Sequence, residues 1–204
     1  MADRFLPPII GLAGRAGAGK DTVAAHLVRE YGYVRYSCAD PIKDLLNAKF
    51  GWAPSYWEDR AWKESVVVTA YGPGQRRIHD TSAELSPRQL AQWLGTEVGR
   101  HLAGPDVWIN ALLVKAAANG HRGCTVIPDI RFDNEARAVQ AHGGIVINVW
   151  RPAVAAVAEH ISERGVDDLY IDYEINNAGT TLETYVKADK ILLGWERDFG
   201  RKHA

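Results

Sequence analysis

The stretch Gly14-Arg-Ala-Gly-Ala-Gly19-Lys20-Asp21-Thr22 has the spacing G-x-x-x-x-G-K, in which glycines let consecutive backbone N–H groups turn inward around an anion. It follows the apolar run Pro8–Ala13 and opens a helical pattern, so the nest would sit at the positive end of a helix dipole. Lys20 adds a cation able to reach the β- and γ-phosphates of a nucleoside triphosphate. A glycine-rich turn that merely joins strand to helix would need neither the lysine nor the spacing. The hydroxyl residue that commonly follows the lysine and ligates Mg²⁺ is Asp21 here, with Thr22 after it. Asp21 could hold the ion directly or through water, and Thr22 could turn its hydroxyl to a phosphate. Gly14, Arg15, Ala16, Gly17, Ala18, Gly19, Lys20, Asp21 and Thr22 are therefore read as an ATP cradle, with Asp21 and Thr22 on its metal side.

Other clusters bear on what the phosphate is for. Pro128-Asp129-Ile-Arg131-Phe-Asp133-Asn134-Glu135 ends an apolar run, and ligands of open parallel sheets bind at the carboxyl ends of strands. Asp129 could hold Mg²⁺ or a sugar hydroxyl, and Arg131 could clamp a phosphate bidentately. The plainer alternative is a mutual salt bridge, with Asp133 as a helix N-cap. Cys38-Ala-Asp40-Pro-Ile-Lys43 places Asp40 and Lys43 on the same rim, unless they form only a surface pair. Trp150-Arg151-Pro152 leads to His160-Ile-Ser-Glu163-Arg164, a charged segment that reads equally as a solvated face or a phosphate-closing lid.

Between residues 86 and 100, Ser86 and Gln89 make a capping box and Pro87 takes the first helical position. At about 100° per residue, Leu90, Leu94, Val98 and Leu102 form an apolar face. Gln89, Trp93, Thr96 and Arg100 form a second stripe, offering an amide, an indole, a hydroxyl and a guanidinium to a base and a phosphate. The alternative is a solvated face carrying one amphipathic tryptophan. Gly95 and Gly99 cost helix propensity, so something approaches the backbone closely there.

The elements that must position these residues alternate as short apolar runs and longer helical patterns, the signature of βαβ units. Strands are expected at 8–13, 33–38, 123–128, 144–150 and 170–176. Helices are expected at 20–31 (capped by Gly32), 40–50, 134–142 and from about 181. Residues 51–85, with Gly72, Pro73 and Gly74, show no sustained periodicity and read as a flap. Trp52, Trp57 and Trp62 in that stretch are expected to pack it, unless one ring meets a base.

The 204 residues carry 24 Lys+Arg against 25 Asp+Glu, which argues against a general nucleic-acid binder. The length suits one domain. Cys38 and Cys124 cannot make a disulfide framework and have no zinc spacing. No signal peptide or membrane-spanning run is evident, so a reducing cytoplasm is the expected location.

Taken together, GRAGAGKDT (14–22), ADPIKD (39–44), SPRQLAQWLGTE (86–97), VIPDIRFDNEA (126–136), VWRP (149–152), HISE (160–163) and INNAGT (175–180) resemble the bacteriophage deoxynucleoside monophosphate kinases of the P-loop kinase superfamily. Phosphomevalonate kinases share the GKD form alone. The resemblance implies transfer of the ATP γ-phosphate to a deoxynucleoside 5′-monophosphate, with Mg²⁺, for phage dNTP supply. By motif position it implies a monophosphate site of Lys43, Arg88, Gly95, Thr96, Trp108, Asp129, Arg131 and Glu135, with Arg60 and Lys63 as flap additions. Arg151, His160 and Glu163 correspond to the lid, and Asn176 and Asn177 to the adenine-side turn. Ala178 stands where related sequences often carry Asp. A homodimer is allowed by the family, and the Gly95/Gly99 spacing would suit close helix contact.

The expected fold is an α/β P-loop kinase: a five-stranded parallel sheet, order 2-3-1-4-5, with helices on both faces. The core would be residues 1–50 and 121–204, the acceptor-binding flap and helices 51–120, and the lid about 151–170, all in a single domain. Lys20, Arg131, Asp129 and Arg151 are the expected catalytic groups. Gln89, Trp93 and the resemblance-derived residues are the expected substrate contacts, and Asp21, Thr22 and Asp129 the expected metal ligands. The rival readings are a kinase for another acceptor such as dephospho-CoA, and an acceptor-independent ATPase switch.

Overall fold

The computed structural model describes residues 5–65, 68–69, 84–118, 124–152 and 166–200. In chain order the elements are β1 (Ile9–Ala13), α1 (Lys20–Tyr31), β2 (Val34–Arg35), α2 (Asp40–Phe50), a 3₁₀ turn (Pro54–Glu58), α3 (Arg60–Ser65), β3 (Val68–Thr69), β4 (Glu84–Leu85), α4 (Pro87–Trp93), a π-helix (Leu94–Ala103), α5 (Val107–Ala118), β5 (Thr125–Ile127), α6 (Asp133–Ala141), β6 (Ile145–Trp150), a second 3₁₀ turn (Asp168–Tyr170), β7 (Tyr173–Asn176) and α7 (Thr181–Gly200). They form two compact units, residues 1–38 with 112–204, and residues 39–111. Helix α2, which the sequence reading grouped with the core, belongs to the second unit.

The first unit is built on a parallel sheet of order β2-β5-β1-β6-β7. Numbering these five strands by themselves gives 2-3-1-4-5, as expected. Side chains alternate across a strand, so β1 divides the two faces. Ile10 and Leu12 pack with Val23 and Leu27 of α1 and with Ala188, Leu192 and Trp195 of α7 in one buried cluster. On the opposite face Gly11 lets Val139 of α6 and Ile130 come close, since a Cβ there would stand 2.9 Å from Ile130 Cγ1. The central strands β5, β1 and β6 are rich in β-branched residues and almost wholly buried, as a sheet covered on both faces requires. Strand β2 is shorter than the expected 33–38, and β7 is preceded by a 3₁₀ turn where strand was expected from residue 170. Helix α6 begins at Asp133, with Phe132 as its extended N-cap residue. Asp133 is therefore not the cap: its Oδ1 accepts the Asp167 N–H at 2.9 Å.

The second unit has its own apolar cluster of Ile42, Leu46, Trp57, Leu90 and Trp108, with Trp52 and Trp62 packed against it. Trp52, Trp57 and Trp62 meet edge-on at 5.0–5.9 Å between centroids, and the Trp57 Nε1–H donates to Asn47 Oδ1 at 2.8 Å. These rings organise residues that showed no periodicity. The supposed flap holds a 3₁₀ turn, α3 and the antiparallel pair β3–β4, in register Val68↔Leu85.

The Ser86/Gln89 capping box is present, each residue accepting from the other's backbone N–H at 3.2 and 2.9 Å. The apolar stripe beyond it is corrected. After Trp93 the helix widens to a π ladder, whose i→i+5 bonds turn each residue by less than an α-helix does. The residues turned inward are Gly95, Thr96 and Gly99, whereas Leu102 is 81% exposed. The close approach foreseen at the glycines comes from the chain itself. Ile42 covers Gly95 and the Trp108 ring covers Gly99.

Candidate active site

All five strands of the parallel sheet point their carboxyl ends the same way, so the loops after them share one edge. The phosphate-binding loop leaves β1 there. Gly14, Gly17 and Gly19 all have positive φ, and a Cβ on Gly14 would collide with the Val149 carbonyl. Gly19 is the N-cap of α1 and has no side-chain cap hydrogen bond, and the N-terminal end of a helix is where an anion is favoured. Lys20 Nζ donates to the Gly14 and Arg15 carbonyls at 2.6 and 2.9 Å, holding the cation against its own loop. Asp21 is exposed and pairs with Arg35 Nη2 at 2.5 Å, while Thr22 is half-buried.

The loop after β5 carries Asp129 and Arg131. Its entry is fixed by the Ile130 N–H donating to Leu12 O at 3.2 Å, which ties it to the neighbouring strand β1. Asp129 Oδ2 accepts the Ser37 hydroxyl at 2.6 Å and its Oδ1 accepts the Cys38 N–H at 3.0 Å. Glu135 is only 2% exposed, and its Oε2 accepts from the backbone N–H groups of Arg131 and Phe132 at 2.8 and 3.2 Å. The carboxylate reaches back to two backbone donors just ahead of α6 and thereby shapes the backbone that carries Arg131, whose own side chain is exposed.

Loops after β6 and β7 complete the edge. Arg151 Nε donates to the Asn177 carbonyl at 2.9 Å. Asn177 is 4% exposed, with its Nδ2 on Ala18 O at 2.7 Å and its Oδ1 accepting from Thr184 Oγ1 at 2.6 Å. Asn176 Oδ1 accepts the Ala178 N–H at 3.0 Å, closing a local turn. Thr180 and Glu183 cap α7 reciprocally, with bonds of 2.8 and 3.3 Å. His160 and Glu163 lie outside the described residues.

In the second unit, Lys43 stands 3.8 Å from Asp40, one turn apart on α2. Arg60 and Arg88 both face Glu64, at 3.2 and 3.7 Å, and Lys63 on α3 is half-buried. Trp93 is half exposed. Gln89 Oε1 is engaged by the cap. Gly95 and Thr96 are buried, and Trp108 is buried with its Nε1–H on Gly95 O at 2.7 Å. Arg100 Nη1 donates to Pro105 O at 2.8 Å.

Sequence reasoning passed over Ser37, Arg35 and Thr184, which hold Asp129, Asp21 and Asn177. Thr184 could have been suspected from the Thr180-x-x-Glu183 box that places it in the first turn of α7. Ser37 and Arg35 carry no local signal, because their partners are distant in the chain.

Among the described residues, no three His, Cys, Asp or Glu side chains converge as a metal cage, and no helix is long and apolar enough to cross a membrane. Residues 53–188 match the family model described as deoxynucleotide monophosphate kinase. The chain is 30% identical to the deoxynucleotide monophosphate kinase of Escherichia phage RB69, a similarity covering 90% of this chain and 99% of that protein. It is 25% identical to the deoxynucleoside-5′-monophosphate kinase of Escherichia phage T5, over 83% of this chain and 89% of the other. Among solved structures, a crystal structure of TT1252 from Thermus thermophilus superposes with a TM-score of 0.51 at 20% identity, covering 93% and 97% of the two chains. That likeness concerns the fold alone.

Proposed function

Since the chain belongs to the deoxynucleotide monophosphate kinase family, we propose that its residues divide the transfer of a phosphoryl group from ATP to a deoxynucleoside 5′-monophosphate as follows. The observation that carries the assignment is the pairing of β1 with β5, from whose ends the phosphate-binding loop and the Asp129–Arg131 loop both leave. A donor phosphate chain on the first loop would find the guanidinium of the second at the same sheet edge.

The acceptor phosphate is largely a dianion at neutral pH, its second pKa being about 6. It needs no general base. One of its oxygens attacks the γ-phosphorus in line, the bond to the β–γ bridging oxygen breaks, and ADP departs with the electron pair. The obstacle is repulsion between two anions, so catalysis rests on cations, alignment and exclusion of water. Lys20 moves from the loop carbonyls to the β- and γ-phosphates, and Arg131 clamps the transferring group. Arg151 approaches from the end of β6, with His160 and Glu163 as lid partners. The turn after Asn176 faces the adenine.

For the acceptor we assign Lys43, Arg88, Gly95 and Thr96, with Arg60, Lys63, Gln89 and Trp93 as further contacts. Trp108 contributes by holding the Gly95 backbone, and Glu135 by shaping the Arg131 loop.

Hard oxygen donors suit Mg²⁺, which takes one or two carboxylates and fills the rest of its shell with phosphates and water. Asp129, held by Ser37 and Cys38, would be the protein's main ligand, with Asp21 and Thr22 on the loop side. Bound there, an ion would supply positive charge to offset the negative charge of the phosphates. A homodimer, which the family resemblance allows, draws no support from Gly95 and Gly99, because Ile42 and Trp108 of the same chain fill the space beside them.

A coupled ADP-release assay with ATP, Mg²⁺ and each of dAMP, dCMP, dGMP, dTMP and a modified pyrimidine monophosphate tests the assignment. Release should depend on one or more monophosphates and vanish in Lys20→Ala and Arg131→Ala. Equal release without an acceptor would replace the kinase by an ATPase switch.

A further inference from the structure

Four hydrogen bonds meet at Asn177. Its Nδ2 donates to Ala18 O, its Oδ1 accepts from Thr184 Oγ1, its N–H donates to Trp150 O at 2.8 Å, and its carbonyl accepts from Arg151 Nε. The residue is buried. We propose that Asn177 is a positioning residue that sets the phosphate-binding loop and Arg151 from a single point, rather than a contact to the adenine. The proposal rests on the kinase assignment above.

A peptide unit is planar and trans, so the Ala18 carbonyl and the Gly19 N–H point to opposite sides of their bond. With the Ala18 oxygen held by the Asn177 amide, the Gly19 N–H is turned away from Asn177, outward, where an anion nest needs its donor. Gly19 completes the arrangement. Its φ is +104°, and any Cβ there would collide with Asn177 Nδ2, so the amide at 177 requires glycine at 19. The amide cannot flip without putting oxygen against oxygen at Ala18, and Thr184 enforces the orientation by donating to Oδ1. Thr184 is itself tethered, its hydroxyl also lying 3.2 Å from Thr180 O. The same residue's carbonyl fixes the exposed Arg151 through Nε, a bond that does not use the two Nη groups, the donors that grip phosphate oxygens. Phosphate binding and the β6-end arginine thus share one fixed reference.

The test uses Asn177→Asp, which replaces the donor facing Ala18 O with an acceptor, and Thr184→Val, which keeps shape and removes the hydroxyl that orients the amide. ATP and inorganic tripolyphosphate affinities are measured for both variants and the parent, with melting temperatures alongside. Tripolyphosphate has no base, so a positioning role predicts equal losses for both ligands, about tenfold or more for Asn177→Asp and about threefold for Thr184→Val. The KM for the monophosphate should stay within about twofold. Loss of ATP affinity with tripolyphosphate unchanged would make Asn177 a base contact and overturn the proposal, as would no loss in either. Should Asn177→Asp fail to fold, Thr184→Val decides by the same two outcomes. Parent protein whose ADP release no monophosphate stimulates would sink the kinase assignment while leaving this test intact, because tripolyphosphate binding needs no acceptor.

Discussion

Trp108 lies across Gly99: a Cβ on that glycine would stand 2.6 Å from the indole Cε2, and the same ring donates its Nε1–H to the Gly95 carbonyl one turn earlier. One side chain from α5 thus fixes the backbone of the π-helix at two points. The segment so held carries Gly95 and Thr96, the residues proposed for the acceptor side.

Gly99→Ala should therefore destabilise the protein by about 1–3 kcal/mol, the usual cost of overpacking a filled site. Trp108→Phe removes the indole donor from the Gly95 carbonyl and should cost about 0.5–1.5 kcal/mol, one net hydrogen bond. Urea unfolding reads both. In the assay the variants should raise the monophosphate KM while leaving ATP affinity within about twofold. A Gly99→Ala protein as stable as its parent would show that the ring is free to move aside.

How much was legible beforehand follows from where the determining contacts lie in the chain. Strand β1, helix α1 with its Gly32 cap and the Ser86/Gln89 box rest on neighbours a few residues away, and their positions could be read directly. The 3₁₀ turn and α3 could not, because Trp52, Trp57 and Trp62 hold them by packing that leaves no period. The stripe Leu90, Leu94, Val98, Leu102 assumed one helical pitch throughout, and the π ladder after Trp93 broke that assumption. The phosphate-binding loop announced itself, but its supports did not. Asn177 and Ala18 are 159 residues apart, and Ser37 and Asp129 are 92.

Lys20 now rests on two carbonyls of its own loop. Lys20→Ala leaves a half-buried carbonyl at Gly14 and an exposed one at Arg15, both on a surface loop where water can satisfy them, so stability should change by less than about 1 kcal/mol. Turnover should fall by about 10²–10³, the range seen when one donor to a developing anionic charge is removed. Parallel melting curves and single-turnover rates separate the two effects. A large loss of stability with modest loss of rate would assign Lys20 to the fold.

Asp129 has one carboxylate oxygen on a hydroxyl and the other on a backbone N–H. In Asp129→Asn the amide oxygen can keep the Cys38 N–H while the NH₂ group turns the Ser37 hydroxyl from donor to acceptor, so the place is held and the negative charge is lost. Activity should fall by about 10²-fold or more, with the Mg²⁺ concentration for half-maximal rate shifted upward. Ser37→Ala removes only one tether and should cost about three- to tenfold in rate, one net hydrogen bond. Unchanged Mg²⁺ dependence in Asp129→Asn would remove this carboxylate from the metal's neighbourhood.

Alkaline pH should unfold the protein through the sheet side of the first unit. Burial pushes the Tyr33 phenol far above its ordinary value of 10.0, and burial again raises the Cys124 thiol above 9.0. Tyr173 is raised by burial first and then by Asp198 and Asp172. The unfolded chain releases these protons at the ordinary values, while the native chain still holds them. Above about pH 9 the unfolded state therefore binds fewer protons, and stability falls as pH rises. Below that range all three groups are protonated in both states and contribute no slope. Tyr33 is the strongest case, with its hydroxyl donating to Pro7 O at 2.9 Å in the core. Tyr33→Phe should lose about 1 kcal/mol near neutrality with that bond, yet show a shallower decline between about pH 9 and pH 11. Urea midpoints across that range check the sign. The same burial should keep the Cys124 thiol slow to alkylate near pH 8, where an unfolded control reacts readily. Equal alkaline slopes in the parent and Tyr33→Phe would mean that the phenol reaches solvent before the sheet gives way.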